Sequence, residues 1–156
     1  MKPITHTELV ELGYKWCLKR CGVAFKELKT TNKEIPDVIG FRSCNYTFLL
    51  EAKVSRSDFM VDKKKSFREQ PEKGMGDFRF YITPKGLLTK EELPFKWGLI
   101  EVDSYNRMKT VYNPFGTGNI YSRWNKNEKN TEAESRIMYS VLRRLQEQKV
   151  IDTIYS

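Results

Sequence analysis

The chain has one histidine, His6, and three cysteines, Cys17, Cys21 and Cys44. A single imidazole at the start of a predicted helix gives a histidine-based triad or a histidine-rich metal site little to work with. The cysteines lack any paired C-x-x-C spacing, which argues against both a disulfide framework and a zinc site. Cys17 and Cys21, four apart on a helix, read as buried reduced thiols. No apolar run approaches the roughly 18 residues of a membrane span, and the first residues lack a signal pattern, so a soluble cytoplasmic protein is expected. Repeats and low-complexity tracts are also absent. The nine glycines and six prolines are scattered between elements rather than gathered into a linker, so residues 1–156 read as one domain.

What the chain does have is positive charge. Its 28 Lys and Arg outnumber 20 Asp and Glu, for a net charge of +8 at pH 7. A field of that sign favours polyanions, nucleic acid first, with anionic membrane as the rival partner.

Hydrophobic periodicity and turn residues mark out the elements. Thr5-His6-Thr7-Glu8 is a capping box that opens a helix to about Arg20, with Leu9, Leu12 and Trp16 on one stripe and Val10, Cys17 and Cys21 near another, which predicts cover on two sides. Extended segments over 23–28, 34–41 and 46–54 read as a meander. Residues 62–72 are helix-tolerant, 78–82 alternate as a strand, and 97–102 with 108–112 flank a turn at 104–107. Thr131-Glu132-Ala133-Glu134 reads as a second capping box, before an amphipathic helix carrying Ile137, Met138, Val141, Leu142 and Leu145. This order predicts a mixed α/β domain.

The chemistry concentrates in one stretch, "EIPDVIGFRSCNYTFLLEAKV". Alternation along a strand puts Leu49, Glu51 and Lys53 on one face and Phe48, Leu50 and Ala52 on the other. Pro36 lacks a backbone donor and marks a strand start, an edge or a bulge, which brings Asp37 beside Glu51 if the two strands pair. Two carboxylates held close are relieved by a raised pKa, a nearby cation or a bound metal. Oxygen ligands from Asp37 and Glu51, with a backbone carbonyl such as that of Ala52, suit Mg²⁺ or Mn²⁺. The plain alternative is a strand-end Glu51–Lys53 ion pair with Asp37 in a turn.

Pro36-Asp37 followed by Glu51-Ala52-Lys53 resembles the signature of the PD-(D/E)XK nuclease superfamily. The wider text "KVSRSDFMVDKKKSFR" and "KGMGDFRFYITPKGLL" resembles a bacterial and phage group of uncharacterised proteins with that core. The resemblance covers roughly residues 5–102. It implies a restriction-endonuclease-like αβββαβ core with a mixed central sheet, followed over about 103–156 by a hairpin, a loop and a helix. It further implies a divalent ion on Asp37 and Glu51, Lys53 as the catalytic lysine, and a glutamate from the first helix. Glu8 and Glu11 both offer that glutamate, and Glu8 borders the apolar stripe; its plain role is the capping box. Glu27 and Glu34 read as solvated.

Arg56, Lys63, Lys64, Lys65 and Arg68 follow the candidate site, where phosphate contacts would position a nucleic-acid backbone; the alternative is a solvated helix face. Tyr112, Phe115, Tyr121, Arg123, Trp124, Lys126 and Lys129 mix aromatics with cations and read first as core or partner surface, second as a nucleic-acid contact. The function expected is Mg²⁺- or Mn²⁺-dependent hydrolysis of DNA, possible in a homodimer. The alternatives are a non-catalytic nucleic-acid- or protein-binding inhibitory module and an RNA endonuclease.

Overall fold

A computed structural model describes residues 2–116 and 125–156. The chain opens with α1 (His6–Leu18), then runs through β1 (Val23–Lys26), β2 (Val38–Phe41) and β3 (Thr47–Ala52). Two short helices follow, α2 (Arg56–Lys63) and α3 (Ser66–Glu69), then β4 (Phe78–Pro84), β5 (Trp97–Val102), β6 (Met108–Tyr112) and α4 (Thr131–Glu147). The six strands form one mixed sheet whose spatial order is the chain order. β1, β2 and β3 pair antiparallel as the expected meander, β3–β4 and β4–β5 are parallel, and β6 returns antiparallel on β5 as the expected hairpin. The expected mixed α/β architecture is therefore present, ending in a C-terminal helix.

Each face of the sheet has its own core. α1 lays Leu9, Val10, Trp16 and Cys17 over Val38, Phe48, Leu50, Phe80 and Ile82. Its two predicted stripes are the two borders of one continuous face, so the helix is covered on one side and Leu18 is left 43% exposed. The Thr5 box forms as expected: Glu8 N–H donates to Thr5 Oγ1 and Thr5 N–H to Glu8 Oε2. On the opposite face Ile39, Leu49, Phe59, Tyr81, Trp97, Leu99 and Ile137 pack together. Tyr81 stacks on Trp97 at 4.4 Å between ring centroids.

Two helix boundaries differ from the sequence reading. The helix expected over 62–72 is instead two short ones: α2 begins at Arg56, where Ser55 Oγ accepts from Asp58 N–H, and ends at Lys63 before α3 takes over at Ser66. The second capping box does not form. Asn130 caps α4 by accepting from Ala133 N–H. Glu134 turns inward instead, accepting from Thr47 Oγ1 at 2.7 Å and Gly76 N–H at 2.8 Å, with Lys129 Nζ 2.9 Å away. Lys129 also reaches Asp77, and Phe115 is wholly buried, so both belong to the interior. Tyr121, Arg123 and Trp124 lie outside the described residues.

β4, between two parallel neighbours, is buried on both faces. Arg79 is the exceptional side chain there. It donates Nε to the Gly76 carbonyl and Nη2 to the carbonyls of Pro71 and Glu128, and burial brings its pKa down to about 10.

Gly98 on β5 makes room for the core. A Cβ there would lie 2.4 Å from the Phe80 ring and 2.8 Å from the Tyr112 carbonyl oxygen. Gly98→Ala is expected to cost about 2 kcal/mol of stability through overpacking, measured as a lowered urea midpoint with an unchanged slope; an unshifted midpoint would show that the strand yields freely.

Candidate functional site

The start of β2 and the end of β3 build the site. Val38 stands opposite Leu50, so extending the antiparallel register puts Asp37 opposite Glu51 and Pro36 opposite Ala52. Asp37 Oδ2 accepts from Ala52 N–H at 2.8 Å, which takes the place of a backbone partner. The Ala52 carbonyl projects to the same side of its strand, towards Pro36, which has no N–H to offer it. A carbonyl facing a proline and two carboxyl groups therefore meet where the ladder between β2 and β3 ends. Lys53 N–H still pairs with the Ile82 carbonyl, which holds Lys53 in register beside them.

Glu51 is 4% exposed, on the face shared with Phe59 and Tyr81. Its Oε1 is 3.1 Å from Arg68 Nη2 and its Oε2 is 3.8 Å from Lys53 Nζ. Burial first, then the charge of Asp37, holds the Glu51 carboxyl well above the usual carboxylate range; Arg68 and Lys53 offset only part of that. At a carboxyl raised in this way, a bound cation competes with the proton.

Asp62, from α2, joins the cluster with no side-chain exposure. Its Oδ2 accepts from Arg68 Nε at 2.9 Å and Tyr81 Oη at 2.6 Å. Its Oδ1 is 3.5 Å from Lys53 Nζ and 3.2 Å from Lys65 Nζ, yet accepts no hydrogen bond. Burial pushes the Asp62 carboxyl up, but Arg68, Lys53 and the two hydrogen bonds outweigh it and bring the pKa to about 2. The Tyr81 hydroxyl is pushed the other way, upward, by burial and by Asp62.

Several residues lie elsewhere than the sequence reading put them. Arg68 is not at a nucleic-acid surface: it is buried and binds Glu34, Glu51 and Asp62, over the Trp97 ring at 4.7 Å. Glu34 is not solvated either, since it pairs with Arg68 and accepts from Met75 N–H at 2.7 Å. Arg56 is engaged by Glu92 and the Leu87 carbonyl, and Lys63 donates to the Glu92 carbonyl at 2.8 Å. Lys64 is exposed at the end of α2. Lys65 alone of that basic group lines the cleft of about 330 Å³ that holds Asp37, Glu51, Lys53 and Asp62.

Glu8 stays in its capping box and faces a different cleft. The side chain that α1 brings to this site is His6, with Nε2 at 3.3 Å from Asp37 Oδ2 and Nδ1 at 3.6 Å from Glu27 Oε1. Ligand atoms of His6, Glu27 and Asp37 lie within 4.8 Å of one another. Around Asp37 and Glu51, then, four carboxylates (Glu34, Asp37, Glu51 and Asp62) face three cations (Lys53, Lys65 and Arg68). Once the Glu51 proton leaves, the surplus is negative, and the Ala52 carbonyl facing Pro36 adds an oxygen of the kind a hard divalent cation takes.

No family model matches the chain, and no curated protein matches it. A solved structure described as the SPO1766 protein of unknown function from Silicibacter pomeroyi is similar over 95% of this chain and 94% of that one, with a TM-score of 0.60 and 21% identity. The two share a fold. No helix among the described residues is long and apolar enough to cross a membrane.

Replacing Arg68 by Met would leave three buried carboxylates without their shared partner, and a loss of about 3 to 5 kcal/mol is expected. The sign with pH follows from Asp62. Its lowered pKa stabilises the fold fully above the ordinary aspartate value and loses that contribution as pH falls through about 2. The deficit of Arg68→Met should therefore be larger at pH 7 than near pH 3, as read by chemical denaturation at both; an equal deficit would assign the loss to packing alone.

Proposed function

We propose that the chain is a divalent-metal-dependent nuclease that hydrolyses phosphodiester bonds in DNA, on a core of the restriction-endonuclease-like kind. One observation carries the reading: Asp37, Glu51 and Lys53 converge where the β2–β3 ladder ends, opposite a proline that has no N–H to offer Ala52. The element order of one helix, three strands, helical segment and strand supports it.

Asp37, Glu51 and the Ala52 carbonyl would hold Mg²⁺ or Mn²⁺, and His6 stands close enough to Asp37 to add a nitrogen ligand or to orient that carboxylate. Bound there, the ion would supply a water of lowered pKa and neutralise charge developing on the phosphodiester. Lys53 presents its ammonium beside Glu51 and Asp62, aligned to stabilise a phosphoryl oxygen or to orient the attacking water. Arg68 acts through Glu51 and Asp62, fixing both carboxylates from below. Lys65, at the cleft rim, is placed to meet a backbone phosphate.

A second reading is a binding module that keeps the fold without catalysis. It is favoured by the Arg68–Glu51 contact, since that guanidinium already occupies one oxygen of the carboxylate.

The test is a panel of single-stranded, duplex and branched DNA and RNA incubated with and without Mn²⁺. Asp37→Asn, Glu51→Gln and Lys53→Met are each expected to lower cleavage by about 100-fold or more, with circular dichroism unchanged. Full activity in all three variants would remove the assignment. Because the Glu51 proton must leave before a cation can bind, Mn²⁺ affinity by calorimetry should rise with pH and release protons to the buffer. A pH-independent affinity would place the ion elsewhere.

A further inference from the structure

A second cleft lies apart from the one around Glu51. A cleft of about 750 Å³ opens between the first turn of α1 and the ends of β4 and β5, with Lys2, Glu8, Lys85, Asp103, Tyr105 and Arg107 on its walls. Lys53 and Lys85 follow β3 and β4, and Asp103 follows β5, so both clefts open at the carboxyl ends of the parallel strands, where open α/β sheets bind ligands. His6 faces one cleft and Glu8 the other, so a single helical turn separates them.

The far wall is a braced aromatic platform. In the turn between β5 and β6, Asp103 Oδ1 accepts from Tyr105 N–H at 2.8 Å and from Arg107 N–H at 3.0 Å. Asp103 Oδ2 accepts from Arg107 Nε at 2.8 Å, and Asn106 adopts a left-handed conformation, φ 60°, that closes the turn. These bonds hold the Arg107 guanidinium 5.0 Å from the centroid of the Tyr105 ring, which remains 73% exposed. A large ring open to water beside a guanidinium, on a turn whose backbone Asp103 braces, can stack a planar group, and Lys2 and Lys85 line the same cleft with positive charge. A base with its phosphates carries both features, and a stacked duplex does not offer a free base face.

We propose that this cleft binds single-stranded nucleic acid, with one unstacked base against Tyr105 and Arg107 and the adjoining phosphates near Lys2 and Lys85. The inference deepens the nuclease reading by naming its substrate class, and it places the strand across the first turn of α1 on the way to Lys53.

Binding is measured without cleavage, in EDTA, by fluorescence anisotropy of single-stranded DNA and RNA of about 12 nucleotides and of the matching duplex. The single strands are expected to bind more tightly than the duplex; the DNA and RNA arms tell which sugar is preferred. Tyr105→Ala should weaken single-strand binding roughly 5- to 100-fold, Tyr105→Trp should restore it, and Lys85→Gln should flatten the salt dependence. Iododeoxyuridine in the oligonucleotide should photo-crosslink to Tyr105, located by mass spectrometry. Undiminished binding by Tyr105→Ala, no binding by the wild type, or crosslinks confined to other segments would each overturn the inference. Tyr105-dependent binding without Mn²⁺-dependent cleavage would sink the nuclease reading and leave this one standing; cleavage indifferent to Tyr105 would do the reverse.

Discussion

One guanidinium organises the interior around the candidate site. Arg68 lies beneath Glu51 and Asp62, reaches Glu34 in the loop before β2, and rests on Trp97. Three carboxylates packed this tightly would repel, and burial would drive each to its neutral form. With Arg68 among them, the Asp62 carboxyl is lowered to about 2, while that of Glu51, which is more deeply buried and also feels Asp37, is raised. Two acids that share Arg68 and Lys53 are thus given opposite characters by position alone. The side chain that made this possible was expected at the surface.

That contrast separates what was legible in the residues from what was not. Strand positions followed from alternation and turn chemistry, since 97–102 and 108–112 were bounded by residues that can do little else. Pro36 announced the end of the β2 ladder, and the approach of Asp37 to Glu51 then follows from strand pairing. Arg68 gave no such sign. It sits in a run of lysines that looks solvated, and its partners lie 34, 17 and 6 residues away, which only the folded chain makes neighbours. Ser55 and Asp58 did carry a signal, a cap with an acid three residues on, that starts α2 at Arg56 and turns Asp62 inward. Glu134 misled in the opposite sense: its spacing from Thr131 fits a cap, but the pull of Lys129, Thr47 and Gly76 outweighed one exposed turn.

Two of the left-handed backbone positions lie beside the clefts. Glu27, at φ 42°, turns the chain beside His6, and Asn106, at φ 60°, shapes the turn that carries Tyr105. Both positions meet the cost of left-handed backbone through nearby hydrogen bonds, Glu27 N–H to the Asp37 carbonyl and Asn106 N–H to the Asp103 carbonyl. Side chains that face water are in this way supported by backbone that cannot drift.

The sheet also carries a temporal consequence. Because spatial order equals chain order, every strand emerging during synthesis finds its partner already made, and loop-closure entropy stays small at each step. Residues 127–134 are the exception, since Asn127, Lys129 and Glu134 must travel back to Thr47 and Asp77. Residues 127–134 are therefore the latch of the ribosome-borne chain, tying its end back to a sheet that the earlier residues can already outline.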